Sequence, residues 1–165
     1  MEFVSRMMDA YDVQDAPAPV LSGFRMPQDS KMERLQQVPM LQDCTARQLR
    51  EVARIAQVFE APAGTLLTRV GEPGEEFFMI LDGSARVELP GGKQSPLHPG
   101  DFFGEMSLLD EGPRSATVIA ETAIRLLVIR RRHFSTLLRE APGLTLKILT
   151  TLSRRVRQLE ESQRR

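Results

Sequence analysis

Between Phe59 and Ile129 the chain is interrupted six times by turn-forming residues. They are Ala61-Pro62-Ala63-Gly64, Gly71-Glu72-Pro73-Gly74, Asp82-Gly83, Pro90-Gly91-Gly92, Pro99-Gly100-Asp101 and Glu111-Gly112-Pro113. Proline lacks an amide donor and glycine favours turn conformations, so no long helix can cross such breaks. The intervening runs are short and rich in β-branched, aromatic and aliphatic residues, among them Phe77–Leu81, Ala85–Leu89, Ala116–Ala120 and Ile124–Ile129. Short strands at intervals of about 8–12 residues predict an antiparallel sandwich or barrel, not alternating βα units.

Helical signals flank this segment. Thr45 with Gln48 forms a capping box, and Leu49, Val52, Ala53 and Ala56 follow at helical spacing, which predicts a helix from Thr45 to Gln57. After Arg132, a short helix over His133–Glu140 is expected to end at Ala141-Pro142-Gly143. A longer one then carries Leu144, Ile148, Leu152, Val156 and Leu159 on a single stripe. Its tail, from Arg154 to Arg165, is highly charged and reads as solvent-facing or frayed. The expected fold class is mainly β with flanking helices: a β-barrel over about 58–130, an N-terminal helix, and C-terminal helices over about 132–162.

A length of 165 residues suits one compact domain with an appendage. Residues 1–30 carry Pro17, Pro19 and Pro27 with no sustained period, and are expected to be a flexible arm before a domain over 31–165. The alternative is a docking segment using Phe3, Val4, Met7, Met8 and Tyr11. With 22 basic and 22 acidic side chains, the chain is not expected to have its whole surface built for nucleic acid, although a segregated basic patch stays open. A single cysteine, Cys44, excludes an internal disulfide and fits a reducing, cytoplasmic setting. The aliphatic stretch Leu126–Ile129 is far short of the ~20 residues of a membrane helix. The N-terminus shows no signal peptide, and no membrane partner is expected. His98 and His133 are the only histidines and lie far apart, so no metal site is expected; Cys44 has no evident histidine partner, so no catalytic nucleophile is expected either. Arg130-Arg131-Arg132 is a basic cluster at a strand-to-helix junction, read as a solvated face with a minority phosphate- or partner-binding alternative.

One stretch, Pro99 to Val118, is chemically specific. Gly104 permits close backbone approach to a ligand. It precedes a helix-compatible run, Glu105–Leu109, whose first amides are free to meet an anion. Gly112-Pro113 forces a turn, and Arg114 opens the next strand. A carboxylate accepts from sugar hydroxyls while a guanidinium donates a planar fork to phosphate oxygens. A ligand with both a hydroxyl and a phosphate would satisfy the set.

With Phe103, Gly104, Glu105, Leu108, Pro113, Arg114, Ser115, Ala116 and Thr117, this stretch resembles the phosphate-binding cassette of cyclic nucleotide-binding domains. These are the family of the bacterial catabolite activator and the kinase regulatory subunits. The run from Gly71 to Val87 is similar to that family's early hairpin, and the resemblance covers about residues 33–160. It implies a double-stranded β-helix (jelly-roll) barrel and a non-catalytic sensor whose ligand is cyclic AMP, with cyclic GMP as the alternative. Glu105 would accept from the ribose 2′-hydroxyl, and Arg114 would pair with the cyclic phosphate. The implied ligand-binding set is Phe103, Gly104, Glu105, Met106, Ser107, Arg114, Ser115 and Ala116. Matching Arg154 and Arg155 to the paired arginines of the activator's last helix makes Leu159 an apolar lid over the base, with Arg155 beside it. Ser115 does not decide between purines. Implied partners are the nucleotide, a second copy joined along the C-terminal helix, and an unidentified downstream protein. Two alternatives stand: a scaffold of the same fold that uses no ligand, or the sensor part of a longer transcription regulator. The charged tail before Arg165 has no room for a helix-turn-helix, so DNA binding by this stretch is not expected.

Overall fold

The computed structural model describes residues 22–24 and 26–165. Its elements, in chain order, are β1 (Ser22–Phe24), α1 (Gln28–Gln36), a 3-10 turn (Pro39–Leu41), α2 (Ala46–Ile55), β2 (Gln57–Ala61), β3 (Leu66–Thr68), β4 (Glu76–Asp82) and β5 (Ala85–Glu88). A 3-10 turn at Pro90–Gly92 leads to β6 (Gln94–Leu97), β7 (Phe102–Phe103), α3 (Glu105–Asp110), β8 (Thr117–Ala120), β9 (Ile124–Arg130), α4 (Arg131–Glu140) and α5 (Pro142–Gln163). The strands are antiparallel and form two sheets, ordered β1-β2-β9-β4-β7 and β3-β8-β5-β6. The fold class is the expected one, β-rich with flanking helices. Ladder bonds do not join the two sheets into a closed barrel among the described residues.

Period-two alternation explains the layering. On β4, Phe77, Met79 and Leu81 join a helix-facing core with Leu49, Val52, Phe134, Leu137, Leu144 and Ile148. Phe78 and Ile80 instead enter a second core between the sheets, with Leu67, Ala85, Phe103, Val118 and Leu126. On β9, Leu127 and Ile129 face the helices while Leu126 and Val128 face the other sheet. Both strands are covered on both faces, which is why they read as nearly continuous apolar runs.

The capping box at Thr45 is present: Thr45 Oγ1 accepts from the Gln48 amide at 3.2 Å, and the Thr45 amide donates to Gln48 Oε1 at 2.9 Å. The helix ends at Ile55, two residues earlier than expected, because Gln57 already pairs with Val128 in the sheet. The expected arm over residues 1–30 lies largely outside the described residues, as does the alternative docking segment. Of the part described, Ser22–Phe24 is an edge strand on β2, and α1 starts at Gln28, ahead of the expected boundary at residue 31. α4 starts at Arg131 rather than His133. α5 packs on the core through Leu144 and Ile148, and Gly143 abuts the Met40 carbonyl so closely that a Cβ there would stand 2.7 Å from its oxygen. From Ser153 onward every residue of α5 is exposed, yet the helix continues to Gln163 rather than fraying.

Candidate functional site

The stretch singled out in the sequence folds as strand β7, a left-handed glycine, the short helix α3, a loop, and Arg114 entering β8. Gly104 has φ +88°, a conformation open to glycine at little cost. A Cβ there would lie 2.7 Å from Arg114 Nη1 and 2.8 Å from the Glu76 carbonyl oxygen. The glycine therefore serves twice, turning the chain into α3 and letting the arginine come close. Gly74 has the second role: a Cβ on it would stand 2.6 Å from Arg114 Nε and 2.7 Å from Ser107 Cβ. Its missing side chain lets Arg114 and Ser107 flank one spot.

Arg114 is 6% exposed, unusual burial for a guanidinium. Its backbone is held by the loop before β4, the amide donating to Glu72 O and the carbonyl accepting from Gly71 N, each at 2.8 Å. Its Nη1 donates to Gly104 O at 3.1 Å, its Nη2 reaches Glu76 Oε2 at 3.3 Å, and its Cζ sits 5.5 Å from the Phe78 ring centroid. Burial pushes this guanidinium below its ordinary value; Glu76 opposes that shift, nearby Arg131 adds to it, and Glu105 and Glu75 oppose it. A desolvated cation with one longish carboxylate contact favours an anion at its open edge.

Glu105 opens α3 and is 2% exposed. Its Oε1 accepts from Arg155 Nη1 of α5 at 3.0 Å, and the same nitrogen lies 3.6 Å from Met106 Sδ. Ser107 is 1% exposed, and its hydroxyl has no hydrogen-bond partner among the described residues. A buried unpaired hydroxyl costs about 1–3 kcal/mol, so this atom too favours an incoming acceptor.

The remaining expected site residues divide into two groups. Phe103 stacks on Phe78 with centroids 4.8 Å apart and belongs to the core between the sheets, so it touches the site through the ring that carries Arg114. Ser115 is exposed and Ala116 half-buried, its carbonyl accepting from the Thr68 hydroxyl at 3.0 Å. Arg155 does reach the cassette. Leu159, expected to lie over the base, is 66% exposed and lies beyond the packed part of α5, which ends near Leu152. Glu76, Gly74 and Phe78 were not among the expected site residues. The Gly71–Val87 run contained all three, but only the fold shows that they surround Arg114. A groove of about 470 Å³ lined by Glu60, Pro62, Asp82, Ile124 and Arg125 contains none of the cassette residues; its wall is an ion pair, Arg125 Nη2 to Glu60 Oε1 at 2.6 Å.

The sequence model of the cyclic nucleotide-binding domain matches residues 58–141, from β2 to the end of α4. The chain belongs to the cyclic nucleotide-binding domain family. It is 39% identical over 105 residues to a cyclic nucleotide-gated potassium channel of Mesorhizobium japonicum, covering 64% of this chain and 29% of the channel. It is 32% identical over 112 residues to a cAMP-dependent protein kinase regulatory subunit of Colletotrichum orbiculare, covering 67% of this chain and 29% of the subunit. The regulatory domain of Toxoplasma gondii PKA, crystallised with cAMP, superposes with a TM-score of 0.65 at 27% identity, covering 75% of this chain and 50% of that one. The chain thus spans less than a third of these curated relatives, whose complete proteins include parts it does not match. In this cyclic nucleotide-binding domain, similar to kinase regulatory subunits, Gly104, Glu105 and Arg114 lie within the matched residues. Among the described residues, no helix is long and apolar enough to cross a membrane, and no cluster of three His, Cys, Asp or Glu could hold a metal ion.

Proposed function

We propose that this chain binds cyclic AMP at the cassette and acts as a non-catalytic regulatory sensor in the cytoplasm, its output being the packing of α5. The observation that carries the reading is the buried donor set. The guanidinium of Arg114 and the hydroxyl of Ser107 flank Gly74, both buried, the first held by the Gly104 carbonyl and Glu76 and the second without a partner among the described residues, with the Glu105 carboxylate nearby. A cyclic phosphate supplies the acceptors and a ribose hydroxyl supplies a donor for Glu105. The names of the kinase regulatory relatives, and the cAMP in the Toxoplasma structure, favour cyclic AMP over cyclic GMP.

The link to α5 is Arg155. It holds Oε1 of the carboxylate assigned to the sugar, so a ligand that engages Glu105 also acts on the helix that supplies Arg155. Past Leu152 every residue of α5 is exposed, and Leu149, Val156 and Leu159 stand 57%, 54% and 66% exposed. Together with half-buried Leu152 they fall at a and d spacing over about two heptads, which fits a second copy of the chain pairing along α5.

A thermal-shift screen against cyclic AMP, cyclic GMP and cyclic di-GMP tests the reading. At 100 times its dissociation constant a ligand adds about 2.7 kcal/mol, which is a rise of about 5–10 °C for a domain of this size. The expected result is the largest rise with cyclic AMP. No rise with any nucleotide would favour the ligand-free scaffold instead.

A further inference from the structure

We infer that Arg131, the first residue of α4, is the positioning residue that ties occupancy of the cassette to the helices that follow the barrel; the inference rests on the nucleotide-binding reading above.

The sequence places three arginines, Arg130 to Arg132, at the start of a helix, where the dipole disfavours cations. α4 has no acidic residue in its first turn and no side-chain cap. Arg130 and Arg132 make only exposed contacts, to Gln57 Oε1 and His133 Nε2. Arg131 differs. Its Nη2 donates to Gly74 O at 2.7 Å and to Ser107 O at 3.0 Å, its Nε donates to Glu75 Oε2 at 3.0 Å, and its own amide donates to Glu75 O at 2.8 Å. One guanidinium therefore joins the loop before β4, the cassette helix α3 and the origin of α4.

The residues it grips surround Gly74, which abuts Arg114. Gly74 abuts both Arg114 and Ser107, and the carbonyls of Gly74 and Ser107 are held by Arg131. A ligand that draws α3 toward Arg114 must carry the Ser107 carbonyl with it. A planar fork with several fixed donors transmits that shift to the backbone of α4, whereas a single flexible ammonium would not. Arg131 also adds a second positive charge behind the anion site, close enough to act on Arg114. It thus has two separable effects, one on affinity through charge and one on helix position through geometry.

The separation supplies the test. In the full chain with Cys44→Ser, an environment-sensitive fluorophore on Gln158→Cys reports on exposed α5 while calorimetry measures cyclic AMP binding. Arg131→Lys is expected to keep most of the affinity, because the charge stays, but to lose most of the fluorescence change at saturating cyclic AMP. Arg131→Ala is expected to lose that change and to bind about tenfold more weakly as well. A folded Arg131→Lys protein with the full fluorescence change overturns the role of Arg131 alone. If the labelled parent binds no cyclic AMP, or binds it with no fluorescence change, the functional reading falls and takes this inference with it. Should neither variant fold, Arg131 is a stability residue and the inference fails.

Discussion

The cassette and the outer half of α5 lie one ion pair apart and are built on opposite principles. Around Arg114 the charges are out of water: Arg114 is 6% and Glu105 2% exposed, and two glycines remove the side chains that would keep them apart. From Ser153 onward α5 is all surface, with Val156 and Leu159 uncovered. Free energy in the first region sits in desolvated groups that a ligand can satisfy. In the second almost none is invested, so under the proposed function a small bias would be enough to move the helix. A sensor needs both properties, and Arg155 joins them at Glu105.

The contrast breaks most severely at Arg114. Arg114→Ala removes one partner of a buried charge pair and should weaken cyclic AMP binding by ~2–5 kcal/mol in calorimetric titration. Unchanged affinity would mean that the buried cation is structural only. Glu105→Ala, which removes the acceptor, comes next. It should erase the preference for the ribose nucleotide over its 2′-deoxy analogue, worth about 1.5–3 kcal/mol for a hydrogen bond to a charged group. An equal loss for both ligands would remove the sugar role. On the exposed side, Leu149→Ser with Leu159→Ser should convert a dimer to a monomer in sedimentation velocity while leaving nucleotide affinity close to that of the parent. A parent that is already monomeric at high concentration would leave this face without the proposed partner.

How much of this was legible in the sequence depended on the distance between partners. The capping box at Thr45 and Gln48 was readable because its partners are three residues apart. Strands β4 and β9 were readable because burial on both faces makes them apolar throughout. β1 and β3 are three-residue edge strands, and β6 carries Gln94, Ser95 and Pro96 at its own sheet edge; such strands announce little locally. Within the site, Gly104, Glu105 and Arg114 stood out as one motif. The companions of Arg114, namely Glu76, Gly74 and Phe78, sit 36 to 40 positions upstream and meet it only through the fold. Leu159 shows the converse: the match of Arg154 and Arg155 to the activator's last helix implied a lid there, a role that depends on a ligand rather than on the fold alone, and its side chain stands 66% exposed.

The smallest expected effect concerns Cys44. Burial pushes its thiol up, and Asp43 and Glu140 push it further. The folded state then holds this proton more tightly than the unfolded one. Stability is unaffected below the unfolded value of about 8.5 and falls as pH rises from there through the raised folded value. Alkylation at pH 8 should be slower than for a small-molecule thiol, and equally slow with or without nucleotide, since Cys44 bonds to the Glu140 carbonyl and not to the cassette. Strong protection by nucleotide would tie this corner to the ligand after all.

The most direct measurement is a crystal structure of the chain with cyclic AMP. The account predicts the phosphate on the Arg114 guanidinium, with the Ser107 hydroxyl finding its acceptor and the 2′-hydroxyl on Glu105. A nucleotide seated elsewhere, such as the groove beside Glu60 and Arg125, or one whose phosphate lies beyond hydrogen-bond reach of Arg114, would contradict it.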